Sequence, residues 1–291
     1  MSIKTWSTPP PDGADARDDS GGSPPCIICG GTKFSRSLVC EGFSFVKCCK
    51  CGLVRQNPPG DPASVLERYN KYDYLGYELQ NEMRFFNLER VSLIDIGLPS
   101  IEKVLFGRGQ NKFLDVGCAT GALLNFMRGR GWQVAGVEIS RAQAAFARNE
   151  RGLDVRPLPL EDAGFAAGSF DVIHAAHLIE HLVRPDTFVR KAAELLNQDG
   201  LFIITTPNID GFQARLFGHK WRSAIYDHLY LFSRSTLSTL LVKNGFYILK
   251  TVTWGGLADG CVPRRIKHFA DRAAKRLNIG DVMIMLAVKT I

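Results

Sequence analysis

Six of the chain's eight cysteines, Cys26, Cys29, Cys40, Cys48, Cys49 and Cys51, fall within 26 residues, and four have the spacing of a metal site. Cys26-Ile27-Ile28-Cys29-Gly30 and Cys48-Cys49-Lys50-Cys51-Gly52 are two CxxCG knuckles with 18 residues between them. Two intervening residues let a pair of thiolates converge on one ion, and the glycine behind supplies the tight turn. Cys26, Cys29, Cys48 and Cys51 would then close a tetrahedral shell with no open position, so the expected metal is a structural Zn2+. Cys40 and Cys49 are surplus, and using Cys49 in place of Cys48 would shorten the spacing. Reduced thiols or a redox pair are the rival reading. Met1–Ser20 is polar and holds four Asp, which is neither a secretory nor a basic transit pattern and argues against a disulfide framework.

A second constellation is built on glycine. Lys112–Val116 is a short apolar run broken by Asp115, followed by Gly117-Cys118-Ala119-Thr120-Gly121 and a helical pattern from Ala122. In a doubly wound sheet the loop after the first strand lies at the ligand-binding end, and the helix behind it offers free N–H groups. Glu138 ends the next strand, 21 residues after Gly117, and is placed to accept two ribose hydroxyls. A dinucleotide fold would share that acid but prefers G-x-G-x-x-G. Asp115 before the loop would repel a pyrophosphate and suits a cationic amino-acid ligand. The combination favours S-adenosylmethionine (SAM) over NAD.

The elements that must position these groups alternate. Strands are expected at Lys112–Val116, Gln133–Val137, Leu153–Arg156, Phe170–Ala175, Leu201–Thr205, Phe246–Trp254 and Val282–Val288. Helices are expected from Ala122 and at Arg141–Glu150, Pro185–Leu196 and Thr236–Lys243, with Ser140 as an N-cap. That alternation predicts an α/β, Rossmann-like fold with a seven-stranded parallel doubly wound sheet. A small zinc ribbon precedes it, with strands near Lys33–Leu38 and Phe43–Lys47 and a third after the second knuckle. The expected organisation is a Pro-, Gly- and Asp-rich disordered tail (1–25), the ribbon (26–56), a helical connector or lid (57–110) and the sheet domain (111–291). With 291 residues, 45% apolar and 22% charged, the chain can bury a core, and no apolar run approaches a membrane span. A soluble, cytoplasmic protein is the expectation. The net charge of +7 permits an acidic partner without naming one.

Phe113–Gly121 resembles the first motif of class I SAM-dependent methyltransferases. Ser169-Phe170-Asp171-Val172-Ile173 resembles that family's fourth-strand motif, and Leu178-Ile179-Glu180-His181-Leu182 its usual continuation. Gly200–Pro207-Asn208 resembles the fifth strand, and Asp227–Ser233 a segment common in small-molecule members. The likeness covers about residues 60–291, and the knuckles are similar to those of sugar C-methyltransferases and glycan-cluster methyltransferases. It implies SAM held by Asp115, Gly117, Cys118, Gly121 and Glu138, with His177 beside them. Many members bind the adenine amino group with an Asp at the position of Pro159, so here Glu161, Asp162 or backbone groups would take that contact.

The implied acceptor is a small molecule or glycan precursor, methylated on oxygen or carbon. Glu180 and His181, just past the fourth strand, are the candidate proton acceptors, and His228 joins them from the long connection after the fifth. A loop-bracing role for His181 is the rival reading. His177-Leu178-Ile179-Glu180-His181 also matches H-x-x-E-H, an accidental peptidase likeness inside the methyltransferase pattern. Trp221, Tyr226 and Tyr230 could cap the acceptor, and Tyr69, Tyr72, Tyr74 and Tyr77 could lid the cofactor. Arg264–Arg276 holds six basic residues against one acid and reads either as a solvated face or as contact with a membrane surface or a diphosphate. An RNA methyltransferase docking through the ribbon is the alternative enzyme, although no N/D-P-P-Y/F/W tetrapeptide follows the fourth strand. A non-catalytic SAM-binding protein is the other.

Overall fold

The computed structural model describes residues 24–58, 74–255 and 264–290. Tyr69 and Tyr72 lie outside them, as do residues 1–23. Two sheets form. In the small one, β1 (Phe34–Cys40), β2 (Phe43–Cys48) and β3 (Val54–Asn57) make an antiparallel meander whose fourth strand, β9 (Tyr230–Leu231), comes from far along the chain.

Two helices follow, α1 (Tyr74–Asp95) and α2 (Leu98–Gly107), before the large sheet begins. Its strands are β4 (Lys112–Val116), β5 (Gln133–Val137), β6 (Val155–Arg156), β7 (Phe170–Ala176), β8 (Leu196–Pro207), β10 (Phe246–Trp254) and β11 (Val282–Lys289), in the spatial order β10-β11-β8-β7-β4-β5-β6. Helices α3 (Ala122–Gly129), α4 (Arg141–Arg151), α5 (Pro185–Leu195) and α7 (Arg234–Lys243) connect them, and a short α6 (Phe212–Phe217) follows β8. Strands β4, β7 and β11, and β8 from Gly200 on, are almost wholly buried, because helices cover both faces of the sheet. No helix among the described residues is long and apolar enough to cross a membrane.

The expected all-parallel sheet is corrected at one end. β11 runs antiparallel to both β8 and β10. The chain leaves β10 at Trp254 and, after α8 (Arg264–Arg276), returns as Val282 directly opposite Trp254, so the last two strands form a hairpin with a helix in its loop. A fully buried strand reads as an apolar run in either direction, which is why the pattern could not reveal the reversal. Gly280 makes the return possible. A Cβ there would lie 2.4–2.7 Å from backbone atoms of Trp254. Gly280→Ala should therefore destabilise the fold by about 2 kcal/mol, lowering the thermal midpoint by about 5 °C; an unchanged calorimetric midpoint would contradict this packing.

The knuckles are not set apart from the core. Cys26, Ile28, Cys48 and Leu53 share one apolar cluster with Phe188, Leu196, Phe202 and Leu237 of the large sheet and its helices.

Candidate active site and metal centre

The turn from β4 into α3 is left-handed at Gly117, Ala119 and Gly121, with φ of +76°, +48° and +79°. At Gly121 a Cβ would also meet Leu153 Cδ1 at 2.5 Å. The Gly117 and Cys118 N–H groups both donate to the Val137 carbonyl, at 2.9 and 3.2 Å, tying the loop to the end of β5. Glu138 follows there, only 7% exposed. Its Oε2 accepts the Ala119 N–H at 3.0 Å and its Oε1 the Ser140 N–H at 2.8 Å. Burial raises the Glu138 pKa, with these N–H groups opposing the rise. An ionised carboxylate has about four acceptor sites, so two remain for a diol. Ser140 stands at the N-cap of α4, but its side chain makes no capping bond.

Asp115 is buried beside a partner that the sequence reading missed. His174, its register mate on β7, places Nδ1 2.8 Å from Asp115 Oδ1. The buried His174 Nε2 has no hydrogen-bond partner. Burial disfavours the His174 cation, but the Asp115 charge and hydrogen bond raise its pKa overall.

Above the glycine loop lies α1. Glu82 accepts the Thr120 hydroxyl at 2.6 Å and grips Arg151 with both oxygens at 2.8 Å; Arg151 also donates to the Thr120 carbonyl at 2.6 Å. Burial, with Glu82 and Glu138 nearby, pushes Glu78 up to about 7. Burial likewise pushes Glu89 up to about 7, Asp115 adding to the effect and His174 opposing it. Glu78, Glu82 and Glu89 thus bring three carboxyls to this side of the site. The Glu82–Arg151 pair is 69 residues apart, and no local pattern announces it. Glu82→Ala should weaken SAM binding about 5-fold, and adding Arg151→Ala should weaken it little further, since contacting partners share one coupling energy. Strictly additive losses in calorimetry would show that the two act separately.

On the other side of the loop, Leu178 packs under Gly117, where a Cβ would lie 3.6 Å from its Cδ1. This brings the turn 177–181, at the carboxyl end of β7, against the glycine loop. Glu180, 1% exposed, accepts the Thr206 hydroxyl on Oε2 at 2.8 Å. Its Oε1 has no hydrogen-bond partner and sits 3.4 Å from His177 Nδ1. His181 Nδ1 meets the Asp227 carbonyl at 2.9 Å and His228 Nδ1 the Ser223 carbonyl at 2.8 Å. A ring nitrogen on a carbonyl must carry the proton, so in the neutral ring each Nε2 presents a lone pair. The two rings meet edge to face at 4.7 Å.

Burial would raise Glu180, but the His177 contact and the His181 and His228 rings hold it at about 2. Burial and the adjacent His181 push His228 down to about 3, leaving a neutral imidazole. Glu180, His181 and His228 offer three ligand atoms within 4.8 Å of one another, a set that could hold a divalent cation.

The remaining expected residues are placed less uniformly. Cys118 is buried in the loop, its thiol pushed up by burial. His177 is 52% exposed at its side chain, with φ of +52°. Glu161 and Asp162 are exposed on the short turn Leu160–Asp162 after β6. Trp221 and Tyr230 are buried rather than capping an open site: Trp221 Nε1 donates to Asp281, and Tyr230 lies in β9.

The four knuckle cysteines converge as their spacing predicts. Their sulfurs lie within 4.8 Å of one another, with Cys26–Cys51 and Cys29–Cys48 both at 3.5 Å. A tetrahedral ion with bonds of about 2.3 Å needs sulfurs about 3.8 Å apart, so the donor set fits Zn2+. Gly30 and Gly52, at φ of +67° and +82°, return their N–H groups to the Cys26 and Cys48 carbonyls.

Comparison with known proteins fits this geometry. A ubiquinone biosynthesis O-methyltransferase of Caulobacter sp. (strain K31) is 35% identical over 138 residues, 43% of this chain and 54% of the relative. That of Acinetobacter baumannii (strain ACICU) is 31% identical over 109 residues, 35% of this chain and 46% of the relative. The chain thus spans about half the length of the curated relatives it matches. Among solved structures, a SAM-dependent methyltransferase of Thermotoga maritima aligns with a TM-score of 0.54 at 19% identity, covering 78% of this chain and 99% of the other. One from Archaeoglobus fulgidus gives 0.52 at 17% identity, covering 75% and 100%. These two speak for the fold alone. Residues 64–251 match the family described as "Methyltransferase domain", and the chain belongs to that family of SAM-dependent methyltransferases.

Proposed function

We propose that the chain methylates a hydroxyl oxygen of a small molecule, with a sugar-like glycan precursor or a phenol as the acceptor class. The observation that carries this reading is the trio Glu180, His181 and His228 against the glycine loop, with two ring Nε2 atoms and one buried carboxylate converging there. The O-methyltransferase names of the curated relatives support it.

When bound, SAM supplies an electrophilic methyl group. Asp115, Gly117, Cys118, Gly121 and Glu138 would hold it, with Glu82 and Arg151 closing the loop above. His181 would take the acceptor hydroxyl proton on Nε2, its Nδ1–H fixed by the Asp227 carbonyl. His228, neutral in its buried seat, would accept a hydrogen bond from the same acceptor and exclude water from that side. Glu180, ionised, would stabilise the imidazolium that His181 becomes. Holding acceptor and methyl donor in line would account for most of the rate.

The convergence of the three ligand atoms favours one further reading, in which a divalent cation on this trio polarises the hydroxyl. Methyl-labelled SAM offered with sugars, phenols and RNA tests both. Label in a hydroxyl-bearing small molecule is expected, with His181→Ala lowering kcat by about 100-fold or more and leaving SAM affinity intact. Activity lost to a chelator and restored by Mg2+ would favour the cation. Label in nuclease-sensitive material, or SAM bound without any transfer, would overturn the proposal.

A further inference from the structure

The connection from β8 to β9 that delivers His228 begins with a surface of mixed chemistry. On α6, Phe212, Leu216 and Phe217 are 41%, 58% and 44% exposed. Arg215, His219 and Lys220 are exposed among and just beyond them. Residues 211–226 contain no Asp or Glu. The turn that ends α8 lies against this segment, since the Phe212 N–H donates to the Ile279 carbonyl at 2.8 Å. That turn adds Leu277, 64% exposed, next to exposed Arg276, and residues 272–280 again contain no acid. On α8, Lys267 pairs with Asp271 and Lys275 with Asp95, whereas Arg265, Arg272 and Arg276 are exposed.

Exposed apolar residues scattered singly are ordinary on a soluble surface. Four large ones from two adjoining segments, interleaved with cations and with Asp210 as the exposed acid at their edge, form a patch. An anionic bilayer meets both halves of that chemistry. Its acyl boundary takes the Phe and Leu side chains, and its headgroup phosphates take the cations, whose long stems reach outward past the apolar groups. We propose that α6 and the turn after α8 dock on an anionic membrane surface. The patch follows β8 by a few residues, at the same end of the sheet as the 177–181 turn. Docking would therefore set the acceptor mouth near the lipid, a consequence that rests on the methyl-transfer reading, whereas docking itself does not.

Co-sedimentation of the full chain with vesicles tests this. Binding is expected to phosphatidylglycerol-containing vesicles, about 10-fold weaker binding to pure phosphatidylcholine, and release by salt. Leu216→Asp with Phe217→Asp should abolish binding. Lys220→Glu with Arg276→Glu should weaken it about 5-fold for each cation removed. Unchanged SAM affinity and thermal midpoint certify that these variants are folded, and failure of methyl transfer with vesicle binding intact would count against the activity alone. Absence of vesicle binding by the parent chain, full binding by both double variants, or displacement of the vesicles by RNA would overturn the proposal.

Discussion

Replacing Glu138 by Gln is expected to weaken SAM binding about 100-fold in calorimetry while leaving the chain folded, and replacing it by Ala should remove most of the affinity. Two hydrogen bonds from ribose hydroxyls to an ionised carboxylate are each worth about 1.5–3 kcal/mol. Gln keeps one carbonyl oxygen, which must serve either the Ala119 N–H or the Ser140 N–H, and its amide presents donors where the hydroxyls need acceptors. Ala additionally orphans both N–H groups beneath the loop, so its effect on stability exceeds that of Gln, and the pair of variants separates ligand loss from loop disorder. The pH dependence has a definite sign. Burial raises the Glu138 pKa, so the carboxylate is lost to protonation at a higher pH than an ordinary Glu. SAM affinity should fall as pH is lowered through that raised value, and Glu138→Gln should flatten this part of the profile. Undiminished SAM binding by both variants would remove Glu138 from the cofactor site.

Much of that site was legible because it is local. Asp115, the glycines and Glu138 lie on consecutive strand ends, and the alternation of apolar runs with helical patterns fixes which ends those are. Strand bounds at Lys112–Val116, Gln133–Val137 and Phe246–Trp254 match the expectation residue for residue. The missing parts are those that only tertiary pairing creates. His174 reads as a polar interruption in an apolar strand until β4–β7 register sets it against Asp115. Glu82 and Arg151 look like ordinary helix-surface charges until α1 crosses the loop. The reversed β11 has the same composition as a parallel strand. Trp221 and Tyr230, expected around the acceptor by their aromatic character, are buried instead, because the connection carrying them is itself a packed layer.

Removing the metal from the cysteine site is expected to damage transfer more than cofactor binding. One Zn2+ per chain should be found by elemental analysis, and Cys48→Ser should lower the thermal midpoint by more than about 10 °C, since losing a metal site is among the few changes worth over about 4 kcal/mol. Cys26 and Cys48 are buried in the main apolar cluster, so unbound thiols there would loosen packing shared with the large sheet. The specific consequence runs through β3. It pairs with β9, Val54 opposite Leu231 and Arg55 opposite Tyr230. The Gln56 N–H donates to the Leu229 carbonyl at 2.8 Å, and Gln56 Nε2 to the Tyr226 carbonyl at 2.8 Å. Leu229 in turn donates its N–H to the Glu180 carbonyl at 2.8 Å. The cysteine-bearing sheet therefore grips both sides of His228 and reaches Glu180 through one residue. Mild chelation, or Gln56→Ala with the zinc retained, should accordingly lower kcat about 10-fold or more with SAM affinity little changed, because small misplacements of reacting groups are expensive. Equal losses in both quantities would instead make the cysteine-bearing sheet a general brace of the fold, and an unaltered midpoint in Cys48→Ser would exclude a structural metal at these four thiols.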